Sequence, residues 1–143
     1  MAGGKVFFDS NVLIYHLSGI EDAKELIMMV ELGEVKGLIN PIVTSEVLFY
    51  YIRTKIKMRP YDIKRNPSII EALNLTPVFE LLSIFEILNV SGEVLSDLDA
   101  VIKKYDLLPN DAIIAATCRH YGIDKIATFD EDFERVDFLK GRR

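Results

Sequence analysis

Val6-Phe7-Phe8-Asp9-Ser10-Asn11 is the stretch that decides the fold. Its apolar run is typical of a short strand in the middle of a parallel sheet, where both faces are buried. The run ends on Asp9, and burying a carboxylate without a partner is costly in free energy. In open α/β sheets, ligands gather at the edge to which the carboxyl ends of the strands point. The stretch therefore predicts a buried strand with a functional acid at its end.

Working outward from this strand, the chain alternates helical and strand-like segments. Further short strands are predicted at 37–40, 87–90 and 125–128. Helices are predicted from Ser10 to Gly19, from Glu21 to Leu32, from Thr44 to Lys57, from Pro77 to Phe85, from Ser91 to Tyr105 and from Pro109 to Gly122. Short helical pieces fill 58–74, and 140–143 is interpreted as a solvated tail. Helices between strands predict an α/β fold, a three-layer α/β/α sandwich with a central parallel sheet.

Length and composition limit the class of protein. The 143 residues suit one domain, which we expect to span 1–143. A single cysteine excludes an internal disulfide framework, and a net charge of -5 argues against indiscriminate binding to phosphate backbones. Neither a secretory signal nor a membrane-spanning stretch is evident. We therefore expect a soluble cytoplasmic protein with no membrane partner.

Four acids share one predicted position at the edge of the sheet. They stand directly after strands or in the first turns of helices: Asp9, Glu46, Asp111 and Asp130. Each alone has an ordinary explanation, because acids cap helices and form turns. Together, they would repel and raise one another's pKa unless a cation neutralised them. A metal site is the hypothesis that accounts for all four.

The type of ligand indicates the metal and the chemistry. Carboxylate oxygens with no His or Cys at a matching position favour Mg²⁺ or Mn²⁺ over Zn²⁺. Such an ion can activate water for attack on a phosphodiester and stabilise the departing oxygen. The acids thus predict metal-assisted phosphodiester hydrolysis.

Four motifs give the chain its resemblance to a known family. VFFDSN at 6–11, TSEVL at 44–48, LPNDAIIAA at 108–116 and IATFDEDF at 126–133 occur in the order seen in PIN domains. The chain resembles this family, which includes VapC-like ribonuclease toxins of toxin-antitoxin pairs. The resemblance implies an endoribonuclease whose catalytic, metal-holding residues are the four acids, with Ser10, Asn11 and Thr128 as supports. It also implies an RNA substrate, a small antitoxin partner and a homodimer.

Two parts of the site remain open from sequence alone. Asp130 matches the last motif, but Asp132 lies close by as the alternative ligand or as a support. The densest basic segment includes Arg53, Lys55, Lys57 and Arg59, which could carry RNA toward the metal. Their spacing distributes them around a helix, so an ordinary solvated surface is the competing interpretation.

Three functions compete at this stage. The leading one is a Mg²⁺- or Mn²⁺-dependent endoribonuclease that is the toxin of a toxin-antitoxin pair. A PIN-type nuclease for RNA processing or for DNA, without an antitoxin, is the second. The third is a non-catalytic PIN-like module that binds protein or RNA, which the complete set of four acids disfavours.

Overall fold

The computed structural model describes residues 3–142 and has a parallel sheet at its centre. Within this range the sheet has five strands: β1 (Lys5–Phe8), β2 (Lys36–Ile39), β3 (Glu86–Ile87), β4 (Lys125–Ala127) and β5 (Lys140–Arg142). Their order across the sheet is β3-β2-β1-β4-β5, and every neighbouring pair is parallel. The apolar strand at the start of the sequence therefore lies in the middle of the sheet.

Helices flank this sheet and complete the predicted α/β/α sandwich. They are α1 (Ser10–Leu17), α2 (Glu21–Glu31), α3 (Pro41–Ile56), α4 (Pro60–Arg65), α5 (Ser68–Glu71), α6 (Thr76–Leu82), α7 (Gly92–Leu95), α8 (Leu98–Tyr105) and α9 (Pro109–His120), with a 3₁₀ helix at Glu131–Arg135. One group packs α1 against α2 and α3, and another packs α9 against α7 and α8. Across residues 3–142, no helix has the length and apolar character needed to cross a bilayer.

The order of the strands creates a crevice between β1 and β4. From β1 the chain builds β2 and β3 on one side, and it later adds β4 and β5 on the other. Phe8 pairs with Ala127, so Asp9 and Thr128 leave the sheet side by side. Such a topological switch point is where open α/β sheets bind ligands.

Apolar packing fixes the strands that carry this crevice. Phe7 and Phe8 on β1 are almost completely buried, as is Ile126 on β4. Gly37 on β2 allows the ring of Phe85 to approach closely, because a Cβ there would lie 2.7 Å from a ring carbon. The two strands on either side of the crevice thus belong to the most deeply buried part of the core.

The helix that carries Glu46 begins earlier than the sequence indicated. Asn40 caps α3 by accepting a hydrogen bond from Val43 N (3.1 Å), and Pro41 occupies the first turn. The prediction of a start at Thr44 was therefore wrong, and Glu46 lies in the second turn. Asn, Thr and Ser all commonly cap helices, so the sequence alone does not show which residue begins this one. In the structure the completely buried Asn40 makes the capping bond.

Two further boundaries differ from the predictions. The segment predicted as one helix over 91–105 is two helices, α7 and α8, separated at Ser96 and Asp97. The strand predicted over 87–90 is Glu86–Ile87, although Leu88 N still donates to Ile39 O (2.8 Å). Short strands at a sheet edge provide few residues for a sequence pattern to detect.

The prediction of a solvated tail at the carboxyl end was wrong. Lys140–Arg142 forms β5, in which Gly141 pairs with Ile126, and Lys140 N donates to Asp124 O (2.8 Å). A three-residue strand of charged residues and glycine has no apolar pattern, so only the adjacent edge of β4 makes it a strand. Arg143, the last residue of that predicted tail, lies outside the described residues.

Candidate metal centre

Asp9 is held at the end of β1 by hydrogen bonds to both carboxylate oxygens. Ser10 N donates to Oδ1 (2.8 Å), so Asp9 caps α1, and the hydroxyl of Thr128 donates to Oδ2 (2.8 Å). The side chain is 4% exposed. These bonds fix the carboxylate in one orientation, which a metal ligand needs.

Thr128 joins the loop after β4 to the end of β1. Besides donating to Asp9, its Oγ1 accepts from Asp130 N (2.9 Å) and, more weakly, from Asn11 Nδ2 (3.4 Å). Asn11 Oδ1 in turn accepts from Phe129 N (3.2 Å). Thr128 thus contacts both Asp9 and Asp130. Asn11 contacts Thr128 and the backbone of Phe129, and Ser10 contributes its backbone amide.

Glu46 and Asp111 are carried by two helices, α3 and α9, that contact each other. Asp111 lies in the first turn of α9, and Glu46 projects from α3 to accept a bond from Asn110 Nδ2 (3.3 Å). Deeper in the protein, Asn40 Nδ2 donates to Thr117 Oγ1 (3.0 Å), and both residues are completely buried. This bond ties the start of α3 to α9, and so relates the two helices that carry acids.

Three carboxylates converge closely enough to share one ion. Oxygen atoms of Asp111, Asp130 and Asp132 all lie within 4.8 Å of one another. Asp132 N donates to Asp130 Oδ1 (2.9 Å), and the Asp132 carboxylate accepts from Arg135 (3.1 Å). The structure therefore brings both Asp130 and Asp132 to the cluster, where the sequence had favoured Asp130.

Burial and, after it, the neighbouring acids raise the pKa of two members of the site. Burial is the largest cause at Asp111, followed by the charges of Asp9, Asp130, Glu46 and Asp132, and the pKa rises to about 7. At Asp9 burial again dominates and raises the pKa to about 6, although the bonds from Thr128 and Ser10 N oppose the rise. Glu46 and Asp9 lie outside the closest triplet, yet their charges reach Asp111. A divalent cation would relieve this repulsion.

The donor set fits a hard cation. The converging atoms are carboxylate oxygens, which Mg²⁺ and Mn²⁺ prefer. Burial above all, and also the charge of the nearby Asp9, raises the pKa of the Cys118 thiol. Cys118 therefore remains a protonated thiol and provides no soft thiolate ligand.

The four basic candidates are separated by the end of α3. Arg53 lies over the ring of Phe49 (5.8 Å) and Lys55 over the ring of Tyr51 (5.4 Å). Lys57 terminates α3 in a left-handed conformation, and Arg59 pairs with Asp62 (3.0 Å). Arg53 follows Glu46 by two helical turns, about 10 Å along the same face of α3. Lys55 does not share that face, and Lys57 and Arg59 lie beyond the last residue of α3.

Sequence reasoning missed one polar residue that contacts an acid, Asn110, and a buried pair between the two helices, Asn40 and Thr117. Asn110 contacts Glu46, and its position inside the LPNDAIIAA motif beside Asp111 was an available signal. The buried pair of Asn40 and Thr117 had no such signal, because the two residues are distant in the chain and each also suits a helix end.

Comparisons with known proteins identify the family of the chain. The family model "PIN domain" matches residues 6–139. A curated relative from Methanocaldococcus jannaschii, "Ribonuclease VapC2", is 56% identical over 98% of this chain and 94% of its own. A second from that organism, "Ribonuclease VapC6", is 38% identical over 98% of this chain and 97% of its own. A toxin-antitoxin complex from Klebsiella pneumoniae superposes with a TM-score of 0.58 at 23% identity, covering 94% of this chain and 95% of that one.

Proposed function

The chain belongs to the PIN-domain family, and we propose that it is a metal-dependent endoribonuclease, the toxin of a toxin-antitoxin pair. It hydrolyses phosphodiester bonds of RNA with water as the nucleophile. Two relatives named as ribonucleases, matched over nearly their whole length, support the activity. The observation that carries the mechanism is the convergence of Asp111, Asp130 and Asp132 at the switch point of the sheet, within the electrostatic reach of Asp9 and Glu46.

Asp9, Glu46, Asp111 and Asp130 form the metal-binding set in this proposal. Asp132 joins them as a fifth acid, through its place in the closest triplet. A bound Mg²⁺ or Mn²⁺ supplies Lewis acidity, which makes water a better nucleophile and stabilises charge on the departing oxygen. The other residues orient these acids, because Thr128 and Asn11 fix the loop of Asp130 against the end of β1.

The raised pKa of Asp111 applies to the metal-free protein. With a pKa near 7, this carboxyl can hold a proton close to neutral pH. A cation that took Asp111 as a ligand would favour the ionised carboxylate, so metal binding should release protons near neutral pH.

One basic side chain can guide RNA toward the acids. Arg53 follows Glu46 by two helical turns along one face of α3. A phosphate backbone that runs along α3 would meet Arg53 before it reaches the site. Lys55, Lys57 and Arg59 contribute general positive charge in this proposal, since Lys55 lies on another face and the other two lie beyond the end of α3.

The partner is proposed to be a small antitoxin protein. One solved structure with this fold is a toxin-antitoxin complex, and likeness at 23% identity extends to the fold. We further propose a homodimer, because α6 exposes Phe79 (50%) and the edge strand β3 exposes Ile87 (51%). Static light scattering tests the dimer, and a strictly monomeric species would contradict it.

The decisive experiment is cleavage of single-stranded RNA by the purified chain. We expect cleavage with Mg²⁺ or Mn²⁺ and none after EDTA treatment. Asp111→Asn should abolish cleavage, whereas Asp124→Asn, which alters an exposed acid away from the cluster, should leave it intact. Equal activity in the two variants would indicate a contaminating nuclease and contradict the proposal.

A growth assay tests the toxin assignment separately. Induced expression of the wild-type chain should arrest growth, while Asp111→Asn should not. Co-expression of the protein encoded beside it should restore growth. An active nuclease that causes no arrest would make an RNA-processing role the better interpretation.

A further inference from the structure

The side chain of Arg135 joins two segments that lead to acids of the site. Its Nε donates to Tyr105 O (2.8 Å) and its Nη2 to Asp106 O (2.7 Å), both at the carboxyl end of α8. Its Nη1 donates to Oδ1 of Asp132 (3.1 Å) in the 3₁₀ helix. One guanidinium therefore holds the end of α8 and an acid of the site at the same time. We call these three contacts the Arg135 bridge.

The end of α8 is a suitable place for a guanidinium. The last carbonyls of a helix have no amide partner within the helix, and the helix dipole makes this end negative. α8 ends at Tyr105, and Asp106 follows it in a left-handed conformation (φ 53°). A guanidinium has N–H donors in a rigid planar fork, so it can serve two carbonyls and a carboxylate together. A lysine ammonium has the charge without this geometry.

The two bridged segments lead directly to the three acids that converge. Asp106 precedes Asp111 by only five residues, and α9 begins at Pro109 within that short connection. On the other side, the amide of Asp132 donates to Oδ1 of Asp130 (2.9 Å). The Arg135 bridge thus relates the segment before Asp111 to the turn that carries Asp130 and Asp132.

The charge of Arg135, taken alone, would act in the opposite direction from its geometry. A guanidinium paired with Asp132 partly neutralises that carboxylate and repels a divalent cation bound nearby. On charge alone, removal of Arg135 would strengthen metal binding. The bridge instead orders the Asp132 side chain before a metal arrives, so that binding does not have to supply this ordering. Because the two effects have opposite signs, an affinity measurement separates them.

We infer that Arg135 is a positioning residue of the metal centre. The Arg135 bridge holds Asp132 and the segment before Asp111 at the separation at which their carboxylates can share one ion. This inference rests on the proposed metal-dependent function and adds a residue that acts through the acids. Replacing a residue that orients metal ligands typically weakens metal affinity 10- to 100-fold.

A second contact between the same parts of the chain provides the matched control. The hydroxyl of Tyr105 donates to Oδ1 of Asp137 (2.8 Å), and Asp137 follows Arg135 by two residues. This bond also joins the end of α8 to the chain around the 3₁₀ helix, but it includes no acid of the site. Tyr105→Phe removes the bond and keeps the ring. Conversely, the bond remains when Arg135 is replaced, so we expect the Arg135 variants to fold.

The test compares metal affinity with stability. Calorimetric titration of the metal-free proteins with Mn²⁺ measures the affinity, and denaturant unfolding in EDTA measures the stability. Arg135→Met keeps the chain length without donors or charge, and Arg135→Lys keeps the charge without the fork. Both should bind Mn²⁺ about tenfold more weakly than the wild type. Tyr105→Phe should lose stability and bind Mn²⁺ like the wild type.

Unchanged or tighter Mn²⁺ binding by Arg135→Met would overturn the inference, because charge alone would then account for Arg135. Wild-type affinity in Arg135→Lys would also overturn it, and this variant carries the test if the Met variant folds poorly. Equal weakening in Tyr105→Phe would assign the effect to general packing of the two segments. In each case the metal centre itself stands. Failure of the wild type to bind Mn²⁺ would overturn the proposed metal-dependent function, and the inference with it.

Discussion

Thr128 donates a hydrogen bond from its hydroxyl to Oδ2 of Asp9 at 2.8 Å, and this bond joins the carboxyl ends of β1 and β4. The two residues are 119 positions apart in the chain, and both are buried. The same hydroxyl accepts from Asp130 N. One small side chain therefore sets the positions of two acids that come from distant parts of the sequence.

Replacing Thr128 tests this positioning. Thr128→Val keeps the shape but removes the hydroxyl, so Asp9 loses a donor and Asp130 N loses an acceptor. We expect the free energy of unfolding to fall by about 1–3 kcal/mol and cleavage to fall roughly 10- to 100-fold. Denaturant unfolding and RNA cleavage measure the two effects. Thr128→Ser, which keeps the hydroxyl, should retain most of both, and similar losses in the two variants would assign the effect to packing.

A second prediction concerns Asp130 and Asp132. Both reach the cluster, but only Asp130 is near enough to affect Asp9 as well as Asp111. Asp132 is also partly neutralised by Arg135. We expect Asp130→Asn to reduce cleavage by more than tenfold beyond the loss in Asp132→Asn. Full activity in Asp130→Asn together with none in Asp132→Asn would reverse the assignment.

The burial of two acids, together with the repulsion among the acids, predicts how stability depends on pH in the metal-free protein. Folding raises the pKa of Asp111 from 3.8 to about 7. The native state therefore binds more protons than the unfolded state between these values, and stability falls as pH rises through this window. Asp9 acts in the same direction, with a pKa of about 6.

Asp111→Asn should flatten this profile. At pH 8 in EDTA, we expect the variant to exceed the wild type in free energy of unfolding by about 1–2 kcal/mol, a value reduced for solvent screening. At pH 4 the two should differ little. Denaturant titrations across pH 4 to 8 measure the difference, with Asp124→Asn as the control. If stability depends on pH in the same way in Asp111→Asn and in the wild type, the pKa of Asp111 is not raised by folding.

The buried pair of Asn40 and Thr117 predicts a structural effect at a distance from the acids. Thr117→Val leaves the Asn40 amide without its acceptor in a completely buried position. We expect a loss of about 1–3 kcal/mol in the free energy of unfolding. Thr117→Ser should lose less, because it keeps the hydroxyl. Equal stability of the Val variant and the wild type would show that the pair does not tie α3 to α9.

Much of the fold was predictable because its signals are local. The apolar run before Asp9 and the helix signals at Pro109 and Gly122 depend on neighbouring residues only, and they identified the central strand and the helix of Asp111. β5 was not predictable, since Lys140, Gly141 and Arg142 become a strand only through the edge of β4.

The sequence could suggest which acids come close together, but not their geometry. Acids that follow strands, such as Asp9 and Asp130, can be assigned to one edge once the sheet is parallel. The relation between Glu46 and Asp111 depends on where α3 begins and on a buried bond between Asn40 and Thr117. The approach of Asp132 depends on the turn in which its amide binds Asp130. These are tertiary and turn-specific contacts, to which no spacing in the sequence corresponds.

The central claim is that one metal centre is formed by five acids, Asp9, Glu46, Asp111, Asp130 and Asp132. Calorimetric titration of the metal-free protein with Mn²⁺ tests this claim most directly. We expect saturable binding by the wild type and by Asp124→Asn, accompanied by proton release near pH 7, and binding at least about tenfold weaker in Asp111→Asn. Failure of the wild type to bind Mn²⁺, or equal affinity in Asp111→Asn, would contradict the account.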